Sequence, residues 1–168
     1  MARKVFFSFH YKPDCWRAST VRNIGTVEGN RPVSDNDWEE ITKGGDAAIE
    51  RWIDGQMSGK SCAVVLIGNA TANRKWINYE ITTAWNAGKG LVGIYVHNLK
   101  DSAGSQAVKG QNPFDHVVLG SGAPKLSTVV KAYDPPYVTS QYVYDYICKN
   151  MEAWVEEAIT SRSDYKNF

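Results

Sequence analysis

No stretch of this chain is apolar for long enough to cross a bilayer. Its longest runs, such as Cys62-Ala63-Val64-Val65-Leu66-Ile67, fall far short of the roughly 20 residues that a spanning helix needs. Basic clusters are missing too: 19 Lys and Arg are set against 18 Asp and Glu, and no run of one sign appears. Sequence-independent binding to nucleic acid needs such a concentration, so that class is set aside, as is the membrane. Cysteines number three, Cys15, Cys62 and Cys148, without metal-type spacing, which points to a reduced cytoplasmic protein with no disulfide framework. The three histidines, His10, His97 and His116, have no ligand spacing, and no metal site is expected. The glycine fingerprint of dinucleotide folds is absent, as is any Gly-x-Ser-x-Gly nucleophile turn. Gly59-Lys60-Ser61 looks like the end of a phosphate loop, but Asp54 stands where its first glycine should be and the tripeptide precedes its strand. A phosphoacceptor receiver needs acidic residues where Phe7-Ser8-Phe9-His10 ends the first strand. Met1-Ala2-Arg3-Lys4-Val5 leads into that strand and reads as no signal peptide.

What is present is globular: 168 residues, 43% hydrophobic, with six Trp and nine Tyr, enough for one domain with a real core. Val5–Phe9, 62–67 and 91–96 read as strands, the last two as continuous apolar runs of the kind buried on both faces. Helices are expected from Pro13 to about Ile24 and from an Asp46 cap to Gly59. A third begins after a Thr71 or Asn73 cap and ends at Gly88, and a long one begins after Ser140. Ser127 to Tyr133 reads as a further strand stopped by Pro135-Pro136, and Arg31-Pro32-Val33 as a short edge strand. Residues 25–45 carry no period, 98–114 form a long loop, and 161–168 are a polar tail after a single domain of residues 1–160. Alternating strands and helices make a doubly wound, mostly parallel α/β sheet of about five strands with helices on both faces. Its switch point lies beside the first strand, between Ser8–His10 and Ile67–Asn69.

Ligands of such sheets bind where strands end and the next helices begin. Trp76 and Glu80 fall there, four apart and so on one side of a helix. A carboxylate beside a flat ring suits cleavage of a bond to a sugar, and partial burial at the edge of the Ile77-Ile81-Ala84 stripe would raise the Glu80 pKa. The plainer alternative is a solvated helix glutamate, unpaired or paired with Lys75 or Lys89. The plainer reading of Trp76 is core material packed on the sheet, and that of Ser8-Phe9-His10-Tyr11 an aromatic strand end with no ligand. For His97 a satisfied structural role is expected.

Lys4-Val5-Phe6-Phe7-Ser8-Phe9-His10-Tyr11 resembles the opening strand of bacterial TIR-like domains of the Thoeris anti-phage defence type. Val64–Gly68 followed by Asn73-Arg74-Lys75-Trp76-Ile77-Asn78-Tyr79-Glu80 resembles the TIR pattern in which a tryptophan precedes the catalytic glutamate by four. Gly110–Phe114 and Val129–Pro136 are similar to that branch too. The resemblance implies a flavodoxin-like TIR fold that consumes NAD as substrate, with no other cofactor, and cleaves its nicotinamide-ribose bond to give a cyclic or modified ADP-ribose signal. It implies Glu80 as catalytic carboxylate. Phe6, Phe9 and Trp76 would stack on rings of the substrate, and Ser8 with the amides at His10 and Tyr11 would meet phosphate. Implied partners are self-association or a phage-derived trigger, and a downstream effector that reads the signal. The chain departs from ordinary TIR domains at Asn73, where serine is common, and in residues 25–45, which correspond to the loop used for self-association and site closure. Two rivals stand beside this reading: a non-catalytic TIR-like adaptor, and a nucleoside deoxyribosyltransferase with a similar sheet and a glutamate nucleophile.

Overall fold

A computed structural model describes residues 2–30, 35–118 and 124–165. Its centre is a parallel sheet of β1 (Val5–Ser8), β2 (Cys62–Ile67), β3 (Gly90–Tyr95) and β4 (Ala132–Tyr133), in that spatial order. Every residue of β1, β2 and β3 is buried, which is why these runs show no alternation of polar and apolar residues. Val5 is in register with Cys62 and Ser8 with Val65, so β2 runs on past the end of β1 and leaves a step there. On its far side, among the described residues, β1 is flanked by one parallel bridge, Lys4 to Glu28. The expected edge strand at 31–33 falls outside the described residues.

That bridge puts the segment after α1 (Tyr11–Arg22) on one side of β1, while the segment after α3 (Asp46–Met57) continues into β2 on the other. The chain therefore reverses at β1, the arrangement that opens a crevice beyond the strand ends. Side chains alternate across each strand. Val5, Phe7, Val64 and Leu66 join a core with Ala18 and Val21 of α1 and the inner face of α5 (Ser140–Ser163). Phe6, Val65 and Ile67 join a second core with Ile49 and Ile53 of α3 and Ile77 and Ile81 of α4 (Lys75–Asn86).

Several local readings need correction. The non-periodic segment 25–45 contains a helix, α2 (Asp35–Lys43), too short for its period to stand out between Pro and Gly. Asp46 is the first helical residue of α3, behind Gly45 at φ +79°, and is not its cap. Neither Thr71 nor Asn73 caps α4: the Thr71 hydroxyl accepts a hydrogen bond from the Gly68 amide at 2.8 Å, Asn73 is left-handed at φ +59°, and Arg74 holds the cap position. The expected strand over 127–133 opens as a 3₁₀ turn, Leu126–Thr128, followed by irregular backbone. Only Ala132 and Tyr133 pair with β3, because the Thr128 hydroxyl donates back to the Lys125 carbonyl and closes the turn. At the other end α5 continues to Ser163, past the point where polarity suggested a frayed tail. Arg162 is buried and donates from Nε and Nη2 to the Trp85 carbonyl, at 3.1 and 2.8 Å.

Candidate functional site

β1 ends at Ser8, and Phe9 and His10 turn out of the sheet into α1, whose first turn faces the beginning of α4 across the end of β2. Between them opens a cavity of about 1150 Å³. Of the residues that the sequence singled out, Phe6, Phe9, His10, Tyr11, Trp76 and Glu80 all line it. Ser8 is buried just beneath, its hydroxyl turned toward the Glu80 carboxyl.

Glu80 is 8% exposed, so the picture of a solvated helix glutamate fails. Neither lysine offered as its partner serves: Lys75 pairs with Asp46, and Lys89 donates to the Lys60 carbonyl. Ile77 and Ile81 on the same helix pack into the core and carry Glu80 inward with them. Burial pushes its carboxyl up to about 8, and the nearby Ser8 hydroxyl offsets this only in part. The contact is loose enough that Glu80 Oε2 and Ser8 Oγ both stand without a hydrogen-bond partner among the described residues. Burial therefore favours the neutral acid. A cation entering beside it would favour the carboxylate. His10 is drawn down from its usual value by burial, then by Arg74 and Lys12, and its Nδ1 is also unpartnered.

Aromatic rings form the walls. Phe9 stacks on Tyr11 at 6.2 Å between centroids, Tyr11 on Trp38 at 6.1 Å, and Trp38 meets Trp52 edge-on at 5.9 Å. Trp76 meets Tyr79 edge-on and carries the Lys75 ammonium over its ring. Trp38 and Trp52 lie on α2 and α3, and nothing in their local sequence could mark them as site residues. Arg22, Ser19 and Asn30 were missed for the same reason. Asn30 is buried and its Oδ1 accepts from the Phe7 amide at 2.8 Å, taking the place of a strand partner at the open edge of β1.

Across the ends of β2 and β3 lies a second polar group that lines no part of the cavity. Arg17 of α1 donates to the Leu99 carbonyl (2.7 Å), the Ser105 carbonyl (3.0 Å), the Pro13 carbonyl (3.1 Å) and Asp14 (3.0 Å). The long loop after β3 is tied down by these bonds, and Asp101 further accepts from the Ala103 and Ser105 amides. It closes against the end of β2 so tightly that a Cβ on Gly110 would stand 2.3 Å from the Gly68 carbonyl oxygen. His97 is buried here with Nδ1 unpartnered, which corrects the expectation of a satisfied histidine.

The parallel α/β sheet flanked by helices is the architecture that the comparisons support. The family model described as "Thoeris protein ThsB, TIR-like domain" matches residues 6–101, from β1 to the loop beyond β3. The chain belongs to that family. A protein of Bacillus cereus (strain MSX-D12), named "Putative cyclic ADP-D-ribose synthase ThsB1", is 38% identical over 122 residues, covering 70% of this chain. The match spans 64% of that protein's own length. The α/β architecture is thus a TIR-like one, with four paired strands among the described residues and a bridge from Lys4 to Glu28 beside β1. Among the described residues no helix is long and apolar enough to cross a membrane.

Proposed function

We propose that this TIR-like domain cleaves the nicotinamide-ribose bond of NAD, with Glu80 as the catalytic carboxylate, and releases a cyclic or otherwise modified ADP-ribose. The observation that carries the reading is Glu80 itself: a buried carboxyl with an unpartnered oxygen, aimed into a cavity walled by aromatic rings. Structural carboxyls at this depth are paired, because an unpaired one costs stability. The name of the Bacillus cereus relative adds support from a homologue.

The chemistry follows from charge. The bond between C1′ and the pyridinium nitrogen breaks with its electron pair going to nicotinamide, which leaves neutral, while C1′ and the ring oxygen keep the positive charge. The pyridinium cation, on entering, favours ionisation of Glu80. The carboxylate then stabilises the charge as it moves onto the ribose, or holds a ribose hydroxyl, more strongly in the transition state than before. Phe6, Phe9 and Trp76 stack on the flat ends of the substrate. Water, or a nucleophile within the same ADP-ribose, adds to C1′ and gives up a proton. His10, drawn toward its neutral form and unpartnered at Nδ1, can accept that proton.

The cationic character of the lining favours NAD over uncharged deoxynucleosides. Lys12, Arg22, Arg74 and Lys75 all reach it, and among the described residues Glu80 is the one acid in its lining. The test is incubation of concentrated protein with NAD beside Glu80→Gln, with products separated by chromatography and weighed. Nicotinamide from the wild type alone supports the assignment; equal release from both proteins removes Glu80 from the mechanism.

A further inference from the structure

Arg22 is the one cation at the cavity wall whose setting is built and left open. It closes α1, and its stem is fixed where the chain passes at Gly29: a Cβ on Gly29 would stand 3.4 Å from Arg22 Cγ and 2.6 Å from Phe7 Cε2. The guanidinium lies 6.0 Å from the centre of the Phe7 ring. Its Nε is buried with no hydrogen-bond partner among the described residues, and it forms no ion pair with any of them. Burial, unopposed by any carboxylate, pulls its pKa below the usual arginine value. The half-buried guanidinium is thus partly desolvated with no carboxylate among the described residues to offset it. Two neighbours add to it. Ser19, one turn earlier on α1, brings a hydroxyl to the same wall, and Asn30, whose Oδ1 is already taken by the Phe7 amide, has only amide N–H donors left to offer.

Position relative to Glu80 is what gives this group a role. Phe7 and Ser8 are consecutive in β1 and project to opposite faces. Arg22 packs on the Phe7 face, beside α1, and Glu80 on the Ser8 face, beside α4. The cavity wraps the open edge of β1 with the carboxyl on one face and the guanidinium on the other. We propose that Arg22, with Ser19 and Asn30, is the phosphate-binding end of the cavity, so that the ligand is a diphosphate whose cationic or sugar end meets Glu80. The proposal takes from the preceding reading only the identity of the whole ligand. A fork of N–H donors suits two phosphate oxygens at once, which an ammonium in its place would not match.

Calorimetric titration with inorganic pyrophosphate tests this without requiring turnover. The wild type and Glu80→Gln should bind alike, Arg22→Gln about tenfold or more weaker, and Arg22→Lys between them. Pyrophosphate should also protect Arg22 from phenylglyoxal in the wild type, read by peptide mass spectrometry, which needs no variant to fold. Binding to Arg22→Gln at wild-type strength, or modification of Arg22 unaffected by pyrophosphate, overturns the proposal. If NAD is cleaved, Arg22→Gln should raise KM about tenfold with kcat nearly unchanged, and leave cleavage of nicotinamide riboside, which lacks phosphate, as it was. Loss of riboside cleavage together with that of NAD would count against it. If NAD is not cleaved at all, the pyrophosphate titration still decides the matter.

Discussion

Two arginines of α1 teach how this molecule divides structure from function. Arg17 is 3% exposed and saturated, with three carbonyls and the Asp14 carboxylate around it. Arg22, on the same helix, has a buried Nε with no acceptor among the described residues. The same contrast separates their surroundings. Beside Arg17 the loop after β3 is tied to α1 through the Leu99 and Ser105 carbonyls; around Arg22 and Glu80 lies open volume bordered by polar atoms without partners among the described residues. Buried polar groups that satisfy one another hold a fold together, and those left unsatisfied cost it stability. Asp14 marks the limit of the contrast. Burial raises its carboxyl against the pull of Arg17, and its Oδ2, lodged where a Gly68 Cβ would be, has no partner either.

The largest effect expected is on the open side. Glu80→Gln should lower NAD cleavage by about a thousandfold, or about 4 kcal/mol in the barrier, with the fold intact. A loss of less than tenfold would place the essential charge elsewhere. On the closed side, Arg17→Met should destabilise the protein by about 3 kcal/mol, because Asp14 is left buried without its cation. Arg22→Met should leave the midpoint of denaturant unfolding unchanged or raise it. If the two variants unfold at the same denaturant concentration, the contrast between the arginines fails.

Proton linkage sharpens the same point. The Glu80 carboxyl ionises near 4.5 in the unfolded chain and near 8 in the folded one, so the folded state binds the extra proton between those values. Stability from this group is greatest below about pH 4.5 and is lost as pH rises through about 8. Glu80→Gln, which cannot ionise, should therefore gain about 2 kcal/mol or more over the wild type at pH 8.5, and little at pH 5. Thermal melts at the two pH values read the difference directly; an equal gain at both would mean that Glu80 is not titrating in that window. The smallest effect is steric. Gly110→Ala should cost about 1–2 kcal/mol by pushing the loop off the Gly68 carbonyl, while pyrophosphate binding on the other side stays as it was.

Much of this could be read along the chain. β1, β2 and β3 announced themselves as apolar runs, and α3, α4 and α5 as stripes at helical spacing. α2 and β4 did not, since nine residues give too little period and two residues of pairing leave no pattern at all. Within the site, Trp76 and Glu80 were legible because strand end and helix start fix their place, and Phe6 to Tyr11 because β1 leads there. Arg22, Asn30, Trp38 and Trp52 were not, because each is brought in from a different element by the closure of the whole domain.

By itself the sequence determined the alternation of strands and helices, the parallel sheet that follows from it, and the edge of that sheet where the candidate site lies. Those are properties of local pattern and of chain direction. Only the tertiary structure decided that Glu80 is buried while Lys75 and Lys89 are occupied elsewhere, and that Arg17 is saturated while Arg22 is bare. Burial and partnership depend on residues far apart in the chain, and the desolvation that sets the charge of a carboxyl or the availability of a guanidinium exists only once those residues have packed.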